Sequence, residues 1–180
     1  MFIKQIRKSL EAAVLFGEID IDKAETTLKK LSEGKGSAKL IQICSAKNIV
    51  SPLHVFAAAE QSINSFETNT SFSGSTNLEF LCRVNAERQI EKAINASALK
   101  KGKNVACLVV VSGIGKSKKH IIGVAAKIGM KEKKMDLSKN ADAAMKHFGI
   151  TKAELKTLSD LKNPLEAAVI ERIALLNLSQ

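Results

Sequence analysis

The unbroken apolar run Val105–Val111 limits what this chain can fold into more than any other feature. A half-buried strand alternates apolar and polar residues, and an amphipathic helix repeats them every three to four; this run does neither. It is rich in β-branched residues. Lys100-Lys-Gly-Lys103 precedes it, and the turn Ser112-Gly-Ile-Gly115 follows. Such a segment is expected to be a central strand covered on both faces. With 180 residues, enough for one core, the chain is expected to be α/β: a single compact domain with a central sheet of about four to five strands and helices packed on it.

The remaining elements follow from punctuation. Met1 to Gly17 mixes apolar and basic residues and reads as a strand followed by a short turn. Asp22 caps a short helix to about Leu31, Ser32–Ser37 is loop chemistry, and Leu40–Cys44 is a buried strand. Ser51-Pro52 opens a helix running to about Ile63, since serine accepts free N–H groups and proline suits the first helical position. The Ser/Thr/Asn-rich stretch Asn64–Asn77 reads as a surface loop. Leu78–Arg83 reads as a strand, and Asn85 as the cap of a helix from Ala86 to about Ala96. Ser117 to about Ile128 is helical, Lys131–Leu137 a short edge strand, and Asp142–Phe148 and Thr151–Leu158 short helices. Thr151 and Glu154 are spaced as a capping box.

Asn163-Pro164 opens the last helix, which is apolar nearly all round. Leu165, Val169, Ile173 and Leu176 make one side; Ala167, Ile170, Ala174 and Leu178 make the opposite side. Such a helix is either deep in a core or covered on its second face by a partner.

Charge narrows the function. Lys and Arg number 28 against 18 Asp and Glu, a net charge of +10, which points to a polyanionic partner, nucleic acid before membrane. Between Ala96 and Met135 there are ten lysines and one acid, Glu132. Nine of them form three clusters (Lys100, Lys101, Lys103; Lys116, Lys118, Lys119; Lys131, Lys133, Lys134). Either these are solvated loops, or they lie on neighbouring sheet edges and track phosphates. No segment is long enough to span a membrane, and the first residues lack a signal peptide's apolar block, so the expected compartment is the cytoplasm. Cys44, Cys82 and Cys107 sit in apolar runs and read as buried, inert thiols. His54, His120 and His147 have no metal-ligand spacing.

Motifs for chemistry are sparse. Gly113-Ile-Gly-Lys-Ser117 resembles the end of a phosphate-binding loop, but the required earlier glycine is Val110, inside the strand. A glycine turn leading into a basic helix is the plainer reading, and no cofactor or small-molecule substrate is indicated. Arg83-Val-Asn-Ala-Glu-Arg-Gln-Ile90 is the second candidate. If a helix opens at Asn85, its unpaired N–H groups, flanked by Arg83 and Arg88, make a seat for a phosphate. The alternative is that Arg88 pairs with Glu87 or Glu91 on the helix surface.

These residues carry a resemblance. Ile41-Gln-Ile-Cys-Ser-Ala-Lys-Asn-Ile-Val-Ser-Pro-Leu-His-Val-Phe56, Leu78-Glu-Phe-Leu-Cys-Arg-Val-Asn-Ala-Glu-Arg-Gln-Ile-Glu-Lys-Ala-Ile94, Asn104–Val109 and Glu166–Leu178 together resemble the TPRKB/Cgi-type family of small accessory subunits of the KEOPS complex. The likeness runs from about Leu40 to Leu178. The loop Asn64–Asn77 and the turn after Val111 look longer than usual, and residues before Leu40 match weakly. The resemblance implies a non-enzymatic subunit that binds the N-lobe of a kinase-like ATPase subunit and captures the 3′ CCA end of tRNA. The complex makes the threonylcarbamoyl modification on the adenosine next to the anticodon. The tRNA-binding residues so implied are Arg83, Asn85, Arg88 and Gln89, with Lys100, Lys101 and Lys103 added from the basic patch. The partner-binding side is Leu165, Val169, Ile173 and Leu176, or the opposite side of that helix, with the helix at Ser51-Pro52 as a further option. A stand-alone basic RNA-binding domain and a nucleotide-dependent enzyme using Gly113–Ser117 are the competing readings.

Overall fold

The computed structural model describes residues 1–22, 24–34 and 36–177. Its strands are β1 (Phe2–Arg7), β2 (Leu10–Ile21), β3 (Leu40–Ser45), β4 (Gly102–Gly113) and β5 (Lys131–Glu132). Its helices are α1 (Ala24–Glu33), α2 (Pro52–Glu67), α3 (Thr76–Val84), α4 (Ile90–Ser97), α5 (Ser117–Ile128), α6 (Ala141–Phe148), α7 (Lys152–Thr157) and α8 (Pro164–Leu175). The α/β class and the strand number agree with the sequence reading. The chain gathers into two compact units: residues 1–46 with 97–135, and residues 47–96 with 136–180.

The first unit holds the sheet, ordered β1-β2-β4-β3, with β5 pairing β2 and every pairing antiparallel. The apolar run lies in β4, between β2 and β3, and Ala106–Val111 are fully buried. The segment read as one strand and a turn is a hairpin instead, turning at Lys8-Ser9 into the twelve residues of β2. Its alternation is masked because residues on both faces of β2 are buried. On one face Leu15, Ile19, Ile43, Leu108 and Val110 form a core with Leu31 of α1 and Ile121, Val124 and Ile128 of α5. The edge strand expected over 131–137 shortens to Lys131–Glu132. Gly17 permits that pairing, because a Cβ there would lie 2.1 Å from the Lys131 carbonyl oxygen.

Cys44 and Cys107 face each other across β3 and β4; all three cysteines are buried and free. Burial raises the Cys82 thiol to about 11 and the Cys107 thiol well above its ordinary value. Both therefore remain protonated at neutral pH, as the sequence suggested.

The second unit is helical. In α2 the Ser51 hydroxyl accepts from the His54 N–H at 3.0 Å, the cap expected from Ser51-Pro52. The helix runs one turn further than predicted. Its serines do not break it, since the Ser62 and Ser65 hydroxyls donate to the carbonyls four residues back at 2.6 and 2.7 Å. α2 packs against α3 and α8, and α8 is also met by α6 and α7. Asn163 caps α8 through the Glu166 N–H at 3.2 Å, and Thr151 caps α7 through the Glu154 N–H at 3.1 Å.

His54 is fully buried. Its Nε2–H donates to the Val84 carbonyl at 2.9 Å, and its Nδ1 lies 3.4 Å from the Val50 N–H. Burial pulls its pKa from 6.5 to about 4, and burial also lowers His147. An unfolded histidine therefore binds a proton that the folded one refuses. The stability is fully present above pH 6.5 and is lost as pH falls toward 4, on the order of 3 kcal/mol for His54. Urea midpoints are expected to drop between pH 7 and pH 5 and to drop less in His54→Gln. A midpoint flat over that range contradicts the assignment.

Candidate functional site

The segment Leu78–Arg83 is helical, not a strand. It lies in α3, where the Ser75 hydroxyl accepts from the Leu78 N–H at 3.2 Å. Its apolar residues run together because Phe80, Leu81, Cys82 and Val84 are all buried. On this helix Glu79 and Arg83 sit four residues apart, both with 0% exposure, and form an ion pair at 2.8 Å. Arg83 Nη2 also donates to the Ser65 hydroxyl and to Asn177 Oδ1, each at 2.7 Å. Glu79 Oε2 accepts from the Phe72 N–H at 2.8 Å and the Ser73 hydroxyl at 3.3 Å. The loop before α3 therefore folds back over this pair, and the Phe72 ring lies 4.5 Å from the Arg83 guanidinium carbon.

Two expected tRNA contacts are corrected by this. Arg83 is sealed in the unit's interior, so its charge serves Glu79. Asn85 is also buried; it is the C-cap of α3, and its Nδ2 donates to the Leu81 carbonyl at 2.8 Å. The next helix, α4, opens at Ile90. The Glu87 carboxylate accepts from the Gln89 N–H at 2.8 Å, placing a negative charge where the phosphate was expected. Arg88 and Gln89 are exposed, and the Arg88 guanidinium lies 4.8 Å from the Phe72 ring centroid.

The same turn borders a cleft of about 250 Å³ lined by Asn85, Glu87, His147, Phe148, Arg172 and Leu175, among others. Ala86, at its edge, holds a φ of 47°, a left-handed conformation uncommon outside glycine. His147 bonds to the Asn85 backbone, and its Nε2 is buried with no hydrogen-bond partner among the described residues. With the ring neutral and Nδ1–H committed to the Asn85 carbonyl, Nε2 is a bare acceptor. Arg172, opposite, is bound to Glu154 at 2.7 Å, and Leu175 is 44% exposed. Sequence reasoning missed His147 and Glu87 because it tested histidines only for metal spacing. The usable signal was His147-Phe148 closing a helix at Gly149.

In α8 the sides are now assigned. Val169, Ile173 and Leu176 are buried within the unit and Leu165 is half-buried; these proposed partner residues are core side chains. On the opposite side Ala167 and Ile170 are half-buried and Ala174 is exposed. Leu178 lies outside the described residues.

In the first unit, Lys100, Lys101 and Lys103 are exposed at the start of β4, where the Asn104 side chain ties the turn through the Lys100 N–H at 2.8 Å and its carbonyl at 2.7 Å. Lys131 and Lys133 lie near them, because Lys103 pairs with Asp20 and Lys131 with Glu18 on β2; Lys133 is bound to Glu18. Lys116, Lys118 and Lys119 lie past the other end of β4, so the three clusters do not make one patch. The Gly113–Lys116 turn is closed tightly by the Lys116 N–H on the Gly113 carbonyl at 3.1 Å. The Ser117 hydroxyl is buried on the Glu11 carbonyl at 2.5 Å. The segment is thus a tight turn leading into a basic helix, the plainer of the two readings. Among the described residues no acid, histidine and cysteine cluster could hold a metal, and no helix is long and apolar enough to cross a membrane.

A family model described as kinase binding protein CGI-121 matches residues 19–177. The chain belongs to this family. None of the curated proteins compared with it matches. The CGI-121 match begins within β2, earlier than the likeness seen from Leu40. It includes the cleft and all of α8. As a CGI-121 chain it belongs among kinase-binding proteins.

Proposed function

We propose that this protein is a non-catalytic KEOPS subunit that binds the kinase-like ATPase subunit and brings tRNA to it by the 3′ CCA end. The match to the CGI-121 family over residues 19–177 carries the reading. The side of α8 carrying Ala167, Ile170 and Ala174 is the surface for the kinase-like subunit's N-lobe. Ala174 is exposed there, and Ala167 and Ile170 are only half-buried within their own unit.

The cleft beside Glu87 and His147 is the seat for a base of the tRNA end. Cytosine and adenine both carry an exocyclic amino group, so every base of CCA offers an N–H to the Glu87 carboxylate that lines the cleft. Arg88 and Gln89 lie on the exposed turn after Glu87 and face the RNA backbone there; in the other unit Lys100, Lys101 and Lys103 offer exposed charge of their own. The chemistry of the modification belongs to another subunit, and the working compartment is the cytoplasm.

Titration of the purified protein with the kinase-like subunit tests the reading. A saturable one-to-one complex is expected; absence of any complex contradicts it.

A further inference from the structure

The groove along α5 has no part in the proposed contacts with the kinase-like subunit or the tRNA 3′ end. Lys116, Lys119, His120, Gly123 and Lys127 recur at intervals of three and four residues or their sums, so they form one stripe from the N-cap along α5. This stripe is one wall of an open groove of about 470 Å³, and Gly34, just past α1, lines the other. The walls are tied together without any ligand. His120 Nε2–H donates to the Gly34 carbonyl at 2.7 Å, and its Nδ1 lies 3.0 Å from the Ser112 hydroxyl.

The charge in the groove is available. Lys116 and Lys119 are exposed and have no acidic partner among the described residues. Lys127 pairs with Glu33 at 2.9 Å, both well exposed, a weak pair that an incoming anion can exchange. From Lys116 to Lys127 the stripe covers about 16 Å at ~1.5 Å per residue. One phosphate cannot reach all three lysines. A nucleic-acid strand carries a phosphate on every nucleotide, so a segment of a few nucleotides reaches them all. Ile114 and Ile122, 51% and 50% exposed, set apolar surface beside the charges for bases to cover.

We propose that this groove binds the phosphodiester backbone of a single-stranded RNA segment, at a site separate from any capture of the tRNA 3′ end. The lining offers charge and no base-reading set, so binding there is sequence-neutral. Gly123 gives a clean test, since a Cβ added there meets no atom within 4 Å. Gly123→Glu keeps the fold and puts a carboxylate into the groove.

The probe is a short fluorescent oligouridine, which has no CCA end, bound to the full chain at about 0.15 M salt. Gly123→Glu is expected to weaken it about tenfold or more, and Gly123→Ala to leave it nearly unchanged. Lys119→Ala should make the slope of log K against log salt shallower by about 0.7. Equal oligouridine affinity in wild type and Gly123→Glu overturns the proposal. So does a groove that holds pyrophosphate, with the same dependence on Gly123→Glu, but not oligouridine. The affinity ratio of intact tRNA to tRNA lacking CCA should survive Gly123→Glu, so loss of 3′-end capture and loss of this site are read separately. Collapse of that ratio overturns the separateness of the groove.

Discussion

Replacing Arg83 with methionine is expected to lower stability by about 3–5 kcal/mol, the largest effect of any single substitution considered for this protein. The reason is the company Arg83 keeps. Glu79 is fully buried beside it, and among the described residues its carboxylate otherwise receives the Phe72 N–H and the Ser73 hydroxyl. Removing the guanidinium leaves that charge uncompensated in the interior. It also cuts the links to Ser65 of α2 and to Asn177 beyond the end of α8. The double variant Glu79→Leu/Arg83→Met is expected to recover much of the loss, because a buried pair replaced by apolar groups of similar size is often nearly neutral. Urea midpoints of the full chain measure both. A single variant within about 1 kcal/mol of wild type, or a double variant worse than the single, contradicts this account. Where Arg83→Met remains folded, its affinity for tRNA should match wild type, since the side chain does not reach the surface.

Ala174→Arg is expected to weaken the complex with the kinase-like subunit by a hundredfold or more, about 3 kcal/mol, with little change in stability. Ala174 is exposed on the side of α8 away from Val169 and Ile173, so a longer side chain has solvent to enter and the fold is kept. At an interface the same side chain separates the surfaces and buries an unpaired charge. The opposite substitution, Val169→Ala, should cost stability through a cavity while leaving the affinity of the folded protein largely intact. Comparing the two by titration separates the faces of α8. Unchanged affinity in Ala174→Arg moves the kinase contact off this helix.

How far the sequence could be read depended on whether a signal was local. The β4 run, the Ser51-Pro52 cap and the Asn163 cap needed only near neighbours, and each is found where its chemistry placed it. The error at Leu78–Arg83 has a different origin. A helix buried all round loses its stripe, and a short apolar run then looks like a strand. The spacing of Glu79 and Arg83, with Ser75 placed to cap, pointed to the helix. Once α3 is a helix, Asn85 becomes its end rather than the start of the next one, and the phosphate seat disappears. The two faces of α8 were visible as a pattern, but which face is core depends on where α2 lies. The His147 cleft joins α6, α8 and the turn after α3, a long-range assembly that no local pattern reports.

Capture of tRNA by its 3′ end is the proposed activity most open to direct test. The direct measurement is a titration of the purified protein with an intact tRNA and with the same tRNA lacking CCA, at a fixed salt of about 0.15 M. Salt must be held because a protein of net charge +10 binds any RNA when it is low. At least a tenfold loss of affinity, about 1.4 kcal/mol, is expected when CCA is removed. Equal affinity for the two RNAs would contradict it and leave a protein that holds RNA by charge alone.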